Sequence, residues 1–154
     1  MVAPASTAPQ FIALELLRPS PLNPRRRFVG LDVLGRSLEV NQREPLLVRP
    51  HPVAAGKFEI ANGERRFRAA EARGLAGLYA RVCELTDAEM LEVMLGTGGE
   101  GCVASLTPLE EGAGYAEAMK LLGLTLDEVA ERFGRDVVYV HRLVALLDLP
   151  KVAK

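Results

Sequence analysis

The spacing of apolar residues changes several times along residues 11–95, and each change marks a predicted element. Short apolar runs that are typical of strands occur at 15–17, 46–49, 57–61 and 78–85. Leucine and valine recur at helical spacing over 32–41, and residues 62–73 form a second predicted helix that ends at Gly74. A third helix is predicted over 88–95. Strands and helices therefore alternate here, which indicates a mixed α/β domain.

The last third of the chain has a helical pattern throughout. Thr107 is the predicted cap of its first helix and is followed by a proline, which suits a first helical position. Residues 124–147 are typical of a helix-turn-helix. In this motif Thr125 caps the first helix, Gly134 makes the turn and Asp136 caps the second helix.

These patterns predict an α+β protein in which a small mixed domain precedes an all-helical domain. The predicted segments are a disordered leader at 1–10, a mixed domain at 11–95, a linker at 96–106 and a helical domain at 107–154. The leader lacks the basic start of a signal peptide, and no apolar run approaches the length that spans a bilayer. We therefore expect a cytoplasmic protein.

Charge is distributed unevenly between the two predicted domains. Up to Met90 there are 13 Lys and Arg against 10 Asp and Glu, a formal charge of +3, whereas the remainder has 6 against 10, a formal −4. A helical domain that binds DNA strongly would be expected to show the opposite bias. The cysteines Cys83 and Cys102 and the histidines His51 and His141 form no metal-type grouping in the sequence.

Residues 62–66 have the composition of an anion site directly after a predicted strand. Asn62 is expected to cap the helix, and Gly63 would let a phosphate approach the backbone without a Cβ in the way. Arg65 and Arg66 would add charged, bidentate hydrogen bonds. The alternative is a surface helix whose arginines pair with glutamates of the same helix.

Residues 63–70, which read GERRFRAA, resemble the GERR-x-R-A box of the ParB partition proteins, where the box binds the triphosphate of CTP. Three other segments are similar to ParB motifs and follow the same order. Residues 19–28 resemble N-P-x-Q-P-R-x-x-F, with Asn23 in place of the usual Gln. Residues 45–50 resemble Q-P-I-x-V-R-P, and residues 106–111 resemble L-x-P-x-E-E.

The resemblance implies a ParB/sulfiredoxin-like domain followed by a helix-turn-helix, with CTP and Mg²⁺ as ligands. The implied nucleotide-binding residues are Asn23, Arg25, Gly63, Glu64, Arg65, Arg66 and Glu100. Glu64 and Glu100 are also the implied Mg²⁺ ligands. The implied partners are duplex DNA, a ParA-like ATPase and a second copy of the chain, and the protein would be nucleoid-associated.

The helix-turn-helix pattern predicts a DNA-facing surface, because the start of the second helix enters the major groove in this motif. The predicted DNA-facing residues are Arg135, Asp136, Val137, Val138, His141 and Arg142. ParB proteins usually have a Ser-Arg pair where this chain has Asp136 and Val137. Phosphate repels Asp136, and Val137 offers only apolar contact to a thymine methyl group, so we expect weak binding. A helical hairpin that only packs or dimerises is the alternative.

Two further differences from the ParB pattern bear on activity. ParB proteins that use CTP carry E-N-x-Q-R just before L-x-P, whereas residues 99–103 here read GEGCV. Glu100 is a shifted carboxylate and Val103 replaces the arginine, so we expect slow or absent CTP hydrolysis. ParB proteins also usually continue with a C-terminal dimerisation domain after the point where this sequence stops, which predicts a fragment or a compact relative.

The sequence thus predicts a ParB-like DNA-binding protein that acts in chromosome or plasmid partition. Three alternatives remain open. A repressor could use the same scaffold, an enzyme could transfer a phosphoryl group at the GERR box, and an adaptor could keep protein contacts alone. Titration with nucleoside triphosphates and DNA discriminates among them.

Overall fold

A computed structural model describes residues 8–95 and 106–149 of the chain. These residues form two compact units, a mixed unit that contains 8–21 and Arg27–Thr86, and a helical unit that contains Leu22–Arg26, 87–95 and 106–149. This division differs from the predicted boundary at residue 95. The reason is that Leu91 and Leu95 are buried in the core of the helical unit.

The mixed unit is built on one five-stranded sheet. Its strands are β1 (Gln10–Ala13), β2 (Leu17–Arg18), β3 (Leu46–Pro50), β4 (Phe58–Asn62) and β5 (Gly77–Val82), in the spatial order β1-β5-β3-β4-β2. Strand β3 pairs antiparallel with β4 and parallel with β5. Strand β1 pairs antiparallel with β5, and β2 pairs parallel with β4.

The start of the mixed unit departs from the sequence prediction. The predicted strand at 15–17 is wrong in most of its length, because Leu14–Leu16 forms a 3-10 turn. The spacing of apolar residues did not predict strand β1. In this strand Phe11 lies opposite Tyr79 of β5, and the two ring centroids are 5.2 Å apart. A four-residue strand of this kind is stabilised by a partner nearly 70 residues away, which local spacing does not reveal.

Helices α1 (Leu31–Val40) and α2 (Glu64–Arg73) lie side by side on the mixed unit, with their N-termini at the same end. Near the middle, a Cβ added at Gly35 would lie 3.3 Å from the carbonyl oxygen of Ala69. At the far end, Arg73 pairs with Glu39 across 2.5 Å. The core beneath them consists of Ile12, Leu17, Leu46, Val48, Ile60, Phe67, Ala70, Leu78 and Ala80.

The helical unit contains α3 (Asp87–Met94), α4 (Pro108–Leu122), α5 (Leu126–Arg132), α6 (Val137–Ala145) and a 3-10 turn at Leu146–Asp148. The predicted caps Thr107 and Thr125 are confirmed, and each forms a reciprocal capping box with the glutamate three residues later. The core consists of Leu91, Leu95, Tyr115, Ala118, Val129, Ala130, Phe133, Val140 and Leu143.

The turn between α5 and α6 has the geometry that a helix-turn-helix requires. Gly134 adopts φ 64°, a left-handed conformation that glycine accepts without strain. Asp136 then caps α6 by accepting a hydrogen bond from the N–H of Tyr139 at 3.1 Å, as predicted. No helix of the described residues is long and apolar enough to cross a membrane.

Candidate functional site

Gly63 begins the helix at the candidate anion site. It is the N-cap of α2 with φ 108°, and a Cβ at this position would collide with Cδ2 of Leu46. The prediction that Asn62 caps this helix is wrong. Asn62 is the last residue of β4 and pairs with Leu47 of β3, so its backbone stays in the sheet. The strand thus runs directly into α2, and only glycine fits the junction.

Arg65 connects the starts of the two helices. Its Nε and Nη2 donate to the carbonyl oxygen of Val29 at 3.0 and 2.8 Å. Gly30, the N-cap of α1 with φ 70°, leaves room for this contact, because a Cβ there would lie 2.8 Å from Nη2. Among the described residues, the partner of the Arg65 guanidinium is this neutral carbonyl, so its positive charge is not compensated by a carboxylate.

Arg66 lies at the same end and contacts the loop that leads into β3. Its Nη1 donates to the carbonyl oxygens of Glu44 and Pro45, the latter at 3.4 Å. Its guanidinium also approaches Gly63, where an added Cβ would lie 3.1 Å from Nη2. The side chain therefore folds back over the start of its own helix, within reach of an anion bound at the Gly63 backbone.

Glu64 is engaged differently from the two arginines. Its buried carboxylate accepts from Arg68 one turn later, with Oε2 2.8 Å from Nε and 2.7 Å from Nη2. The guanidinium carbon of Arg68 lies 4.3 Å from the ring centroid of Phe28, a cation–π contact. The alternative in which arginines pair with glutamates of the same helix therefore describes Arg68, whereas Arg65 contacts the carbonyl of Val29.

The parallel arrangement of α1 and α2 makes this end of the mixed unit attractive to anions. Each helix carries a partial positive charge at its N-terminus, and the first-turn N–H groups of a helix have no acceptor within it. Gly30 and Gly63 begin the two helices without side chains that would cover them. The helix dipoles and the arginine charges both contribute positive potential at this end. Positive potential together with free N–H groups is what binds phosphate at helix N-termini.

The remaining predicted nucleotide residues are not brought into the mixed unit. Asn23 and Arg25 lie in Leu22–Arg26, which belongs to the helical unit, and the N–H of Arg25 donates to Asn23 Oδ1 at 3.0 Å. The N–H of Arg26 donates to Glu110 of α4 at 2.6 Å. Glu100 lies outside the described residues. No cluster of three or more metal-type side chains occurs in the part of the chain that is described.

On the helical unit, several of the predicted DNA-facing polar side chains already have protein partners. Arg135 donates from Nη2 to the carbonyl oxygen of Leu95 at 3.2 Å. This acceptor is a neutral carbonyl, as it is for Arg65, so the predicted phosphate contact of Arg135 stays a prediction. His141 pairs with Asp127 of α5 at 2.9 Å. Arg142 is exposed and has no ion-pair or hydrogen-bond partner within 8–95 and 106–149.

Sequence reasoning missed a carboxylate that joins α4 to α6. Glu111 accepts from the hydroxyl of Tyr115 at 2.5 Å and from the hydroxyl of Tyr139 at 2.9 Å. Burial, followed by the bond to Glu111, raises the pKa of Tyr115 above its ordinary value. The bond to Glu111, followed by burial, raises the pKa of Tyr139. The Tyr139 hydroxyl therefore links the first turn of α6 to α4, and the Tyr115 hydroxyl binds the same carboxylate from within α4.

Comparison with known proteins agrees with this two-part architecture. Residues 3–98 match the ParB N-terminal domain, and residues 104–154 match the ParB HTH domain. The chain belongs to the ParB family. The family membership predicted from the GERR box and its neighbouring motifs is thereby confirmed.

Individual relatives give the extent of the similarity. The chromosome-partitioning protein Spo0J of Thermus thermophilus is 40% identical over 145 residues, which are 92% of this chain and 52% of the relative. A C-terminally truncated ParB of Caulobacter crescentus complexed to the centromeric parS site is 34% identical, covers 92% of this chain and 73% of its own, and superimposes with a TM-score of 0.60.

The same Caulobacter protein complexed with CTP-gamma-S is 33% identical over 94% of this chain and 81% of its own, with a TM-score of 0.57. These structures confirm the predicted fold class of a mixed α/β domain followed by a helix-turn-helix domain. The chain spans about half the length of the curated relatives it matches.

Proposed function

We propose that this chain is the nucleotide-binding and DNA-binding part of a chromosome or plasmid partition protein. Its family membership supports this role, and the ParB structures named above were solved with a CTP analogue and with parS DNA. The observation in this chain that carries the proposal is the shared N-terminal end of α1 and α2, where Arg65 donates to the neutral carbonyl of Val29.

The proposed nucleotide site takes the triphosphate of CTP at Gly63, Glu64, Arg65 and Arg66. Arg65 can exchange the Val29 carbonyl oxygen for a phosphate oxygen, because a charged acceptor forms the stronger hydrogen bond. Asn23, Arg25 and Glu100 complete the proposed ligand set by family resemblance. The Glu64 carboxylate is the proposed Mg²⁺ ligand together with Glu100, and metal binding at Glu64 would compete with its bond to Arg68.

Hydrolysis of CTP by this chain is proposed to be slow or absent. The support is Val103 and the glycines at 99 and 101, which replace polar groups of the usual ParB segment. A phosphate-release assay with Mg²⁺ tests this point. Robust release that Arg66→Ala abolishes would contradict it.

The proposed DNA-binding element is α6, presented by the α5–α6 turn. Residues at the start of such a helix contact bases, and the neighbouring side chains contact phosphates. With few cations available we expect affinity in the range of non-specific binding, on the order of 10⁻⁴ to 10⁻⁶ M, decreasing as salt rises. Dimerisation on DNA or nucleotide, a ParA-like ATPase partner and nucleoid association belong to the same proposal.

Calorimetric titration with CTP, ATP, GTP and UTP, repeated in the presence of duplex DNA, tests the proposal. We expect saturable binding of CTP and weaker binding of the others. The absence of nucleotide binding at millimolar concentration would contradict the nucleotide role. Binding of neither nucleotide nor DNA would favour an adaptor, for which the exposed valines of α6 are the supporting observation.

A further inference from the structure

One exposed side of α6 carries Val137, Val138, His141 and Arg142. These residues are spaced at i, i+1, i+4 and i+5, so they lie on one side of the helix. Val137 and Val138 lie in the first turn after the cap and are 41% and 61% exposed. An HTH helix directs this turn at base edges.

Two polar side chains next to these valines, Asp136 and His141, already have partners. Asp136 accepts the N–H of Tyr139, whose hydroxyl donates to Glu111. His141 pairs with Asp127 of the preceding helix. A side chain that reads a base through hydrogen bonds must give up its existing partner first, which reduces its net contribution. The valines give up no such partner.

Resting on the proposed DNA-binding function, we propose that α6 reads thymine methyl groups through Val137 and Val138. The C5-methyl of thymine is the one apolar group that a base pair presents in the major groove. Arg142 lies on the same face and supplies a positive charge for a nearby phosphate or guanine. The site recognised would therefore be defined by the positions of thymines rather than by a base-reading arginine in the first turn.

The expected size of this readout follows from the burial of one methyl group. Removing a methyl that is buried on binding weakens affinity about fourfold. Replacement of every thymine by deoxyuridine removes all these methyl groups and keeps Watson–Crick pairing. A site with two contacted thymines should then bind more than about tenfold more weakly.

The test uses the 154-residue chain and short DNA duplexes that are selected from a random pool by their binding to this chain. The selected sequence is synthesised once with thymidine and once with deoxyuridine, and both are titrated by fluorescence anisotropy. We expect the wild type to prefer the thymidine duplex, and Val138→Ala to lose much of that preference. Val53→Ala, which removes an exposed valine of the mixed unit, should keep it.

Arg142→Ala provides the complementary control, because it should reduce the affinity for both duplexes equally and leave the ratio of the two affinities unchanged. Equal affinity of wild type for the two duplexes would overturn thymine-methyl reading while leaving DNA binding intact. Failure to bind any duplex at low salt would overturn the DNA-binding function itself. Loss of the preference in Val53→Ala as well as Val138→Ala would also overturn the assignment to α6.

Discussion

The charged side chains have different partners in two regions of the molecule. One is the end of the mixed unit where Gly30 and Gly63 begin α1 and α2, named the phosphate end after its proposed ligand, and the other is the exposed α6 face of the helical unit. At the phosphate end, Arg65 contacts a neutral carbonyl and glycines begin both helices. On the helical unit, Asp136 and His141 are engaged within the protein, and valines occupy the first turn. The first surface is prepared for an anion, whereas the second offers mainly apolar contact.

This difference shows that the partner of a charged side chain decides how readily the side chain can bind a new anion. Carbonyl partners orient an arginine without neutralising it, so a phosphate can replace them with a gain in electrostatic energy. A carboxylate partner, as in the His141–Asp127 pair, competes directly with DNA phosphates. The comparison therefore predicts that nucleotide binding depends on arginines, while DNA binding depends more on the positioning of α6.

The largest effect is expected for Gly63→Ala, which changes the residue that begins α2 at the phosphate end. An L side chain at φ 108° is strained, and its Cβ would meet Leu46. We expect the free energy of unfolding to fall by about 1–3 kcal/mol and nucleotide binding to be lost. Gly74→Ala is the matched control, since its φ of 69° is also positive but nothing lies within 4 Å of an added Cβ. Equal nucleotide affinity in both variants would contradict the prediction.

Arg65→Ala should weaken CTP binding about tenfold, because a charged hydrogen bond contributes about 1.5–3 kcal/mol. DNA binding by α6 should change much less. Arg81→Ala removes an exposed arginine of β5 in the same unit and serves as the charge-matched control. Calorimetry that finds the same loss in both variants would show that net charge, and not the geometry at Val29, governs binding.

Tyr139→Phe tests the positioning of α6 by Glu111. Loss of this hydrogen bond should reduce the free energy of unfolding by about 1 kcal/mol and weaken DNA binding several-fold. Tyr79→Phe removes the hydroxyl of a half-exposed tyrosine on β5 of the mixed unit and should change neither quantity. Chemical denaturation and DNA titration of both variants measure the two effects, and unchanged DNA binding in Tyr139→Phe would exclude the positioning role.

The same contact predicts a pH dependence with a definite sign. The hydrogen bond to Glu111 raises the pKa of Tyr139 in the folded state. Its stabilisation is therefore fully present below the ordinary tyrosine pKa of about 10 and is lost as the pH rises through the folded value. The stability difference between wild type and Tyr139→Phe should shrink in that alkaline range, and a difference that grows there would contradict this linkage.

The smallest effect is expected for Asp136→Ser. Serine also caps helices well, so α6 should remain folded while one negative charge near the DNA disappears. We expect DNA affinity to improve by less than about tenfold, with the improvement greatest at low salt. Anisotropy titrations at two salt concentrations measure it. An affinity that falls in Asp136→Ser would mean that the aspartate itself contributes a contact.

Features that depend on a few neighbouring residues could be predicted from the sequence. The caps Thr107, Thr125 and Asp136 and the turn at Gly134 are confirmed, because each requires only local backbone and side-chain chemistry. The GERR segment also identified the family. Asn62 was wrongly predicted as a cap, because the pairing of β4 with β3 keeps it in the sheet.

Features that depend on distant residues could not be predicted in this way. The Val29 carbonyl lies 36 residues from Arg65 in sequence, and Tyr139 lies 28 residues from Glu111. Strand β1 likewise depends on β5. Such contacts follow from the packing of whole elements, so sequence spacing located the candidate residues but did not reveal which of their charges are already engaged.

Calorimetric titration of CTP into wild type and into the Arg65→Ala/Arg66→Ala double variant tests the phosphate end most directly. The predicted result is saturable binding by wild type and a loss of about 100-fold or more in the double variant, as two charged hydrogen bonds disappear. No binding by wild type at millimolar CTP, or equal binding by the two proteins, would contradict the account.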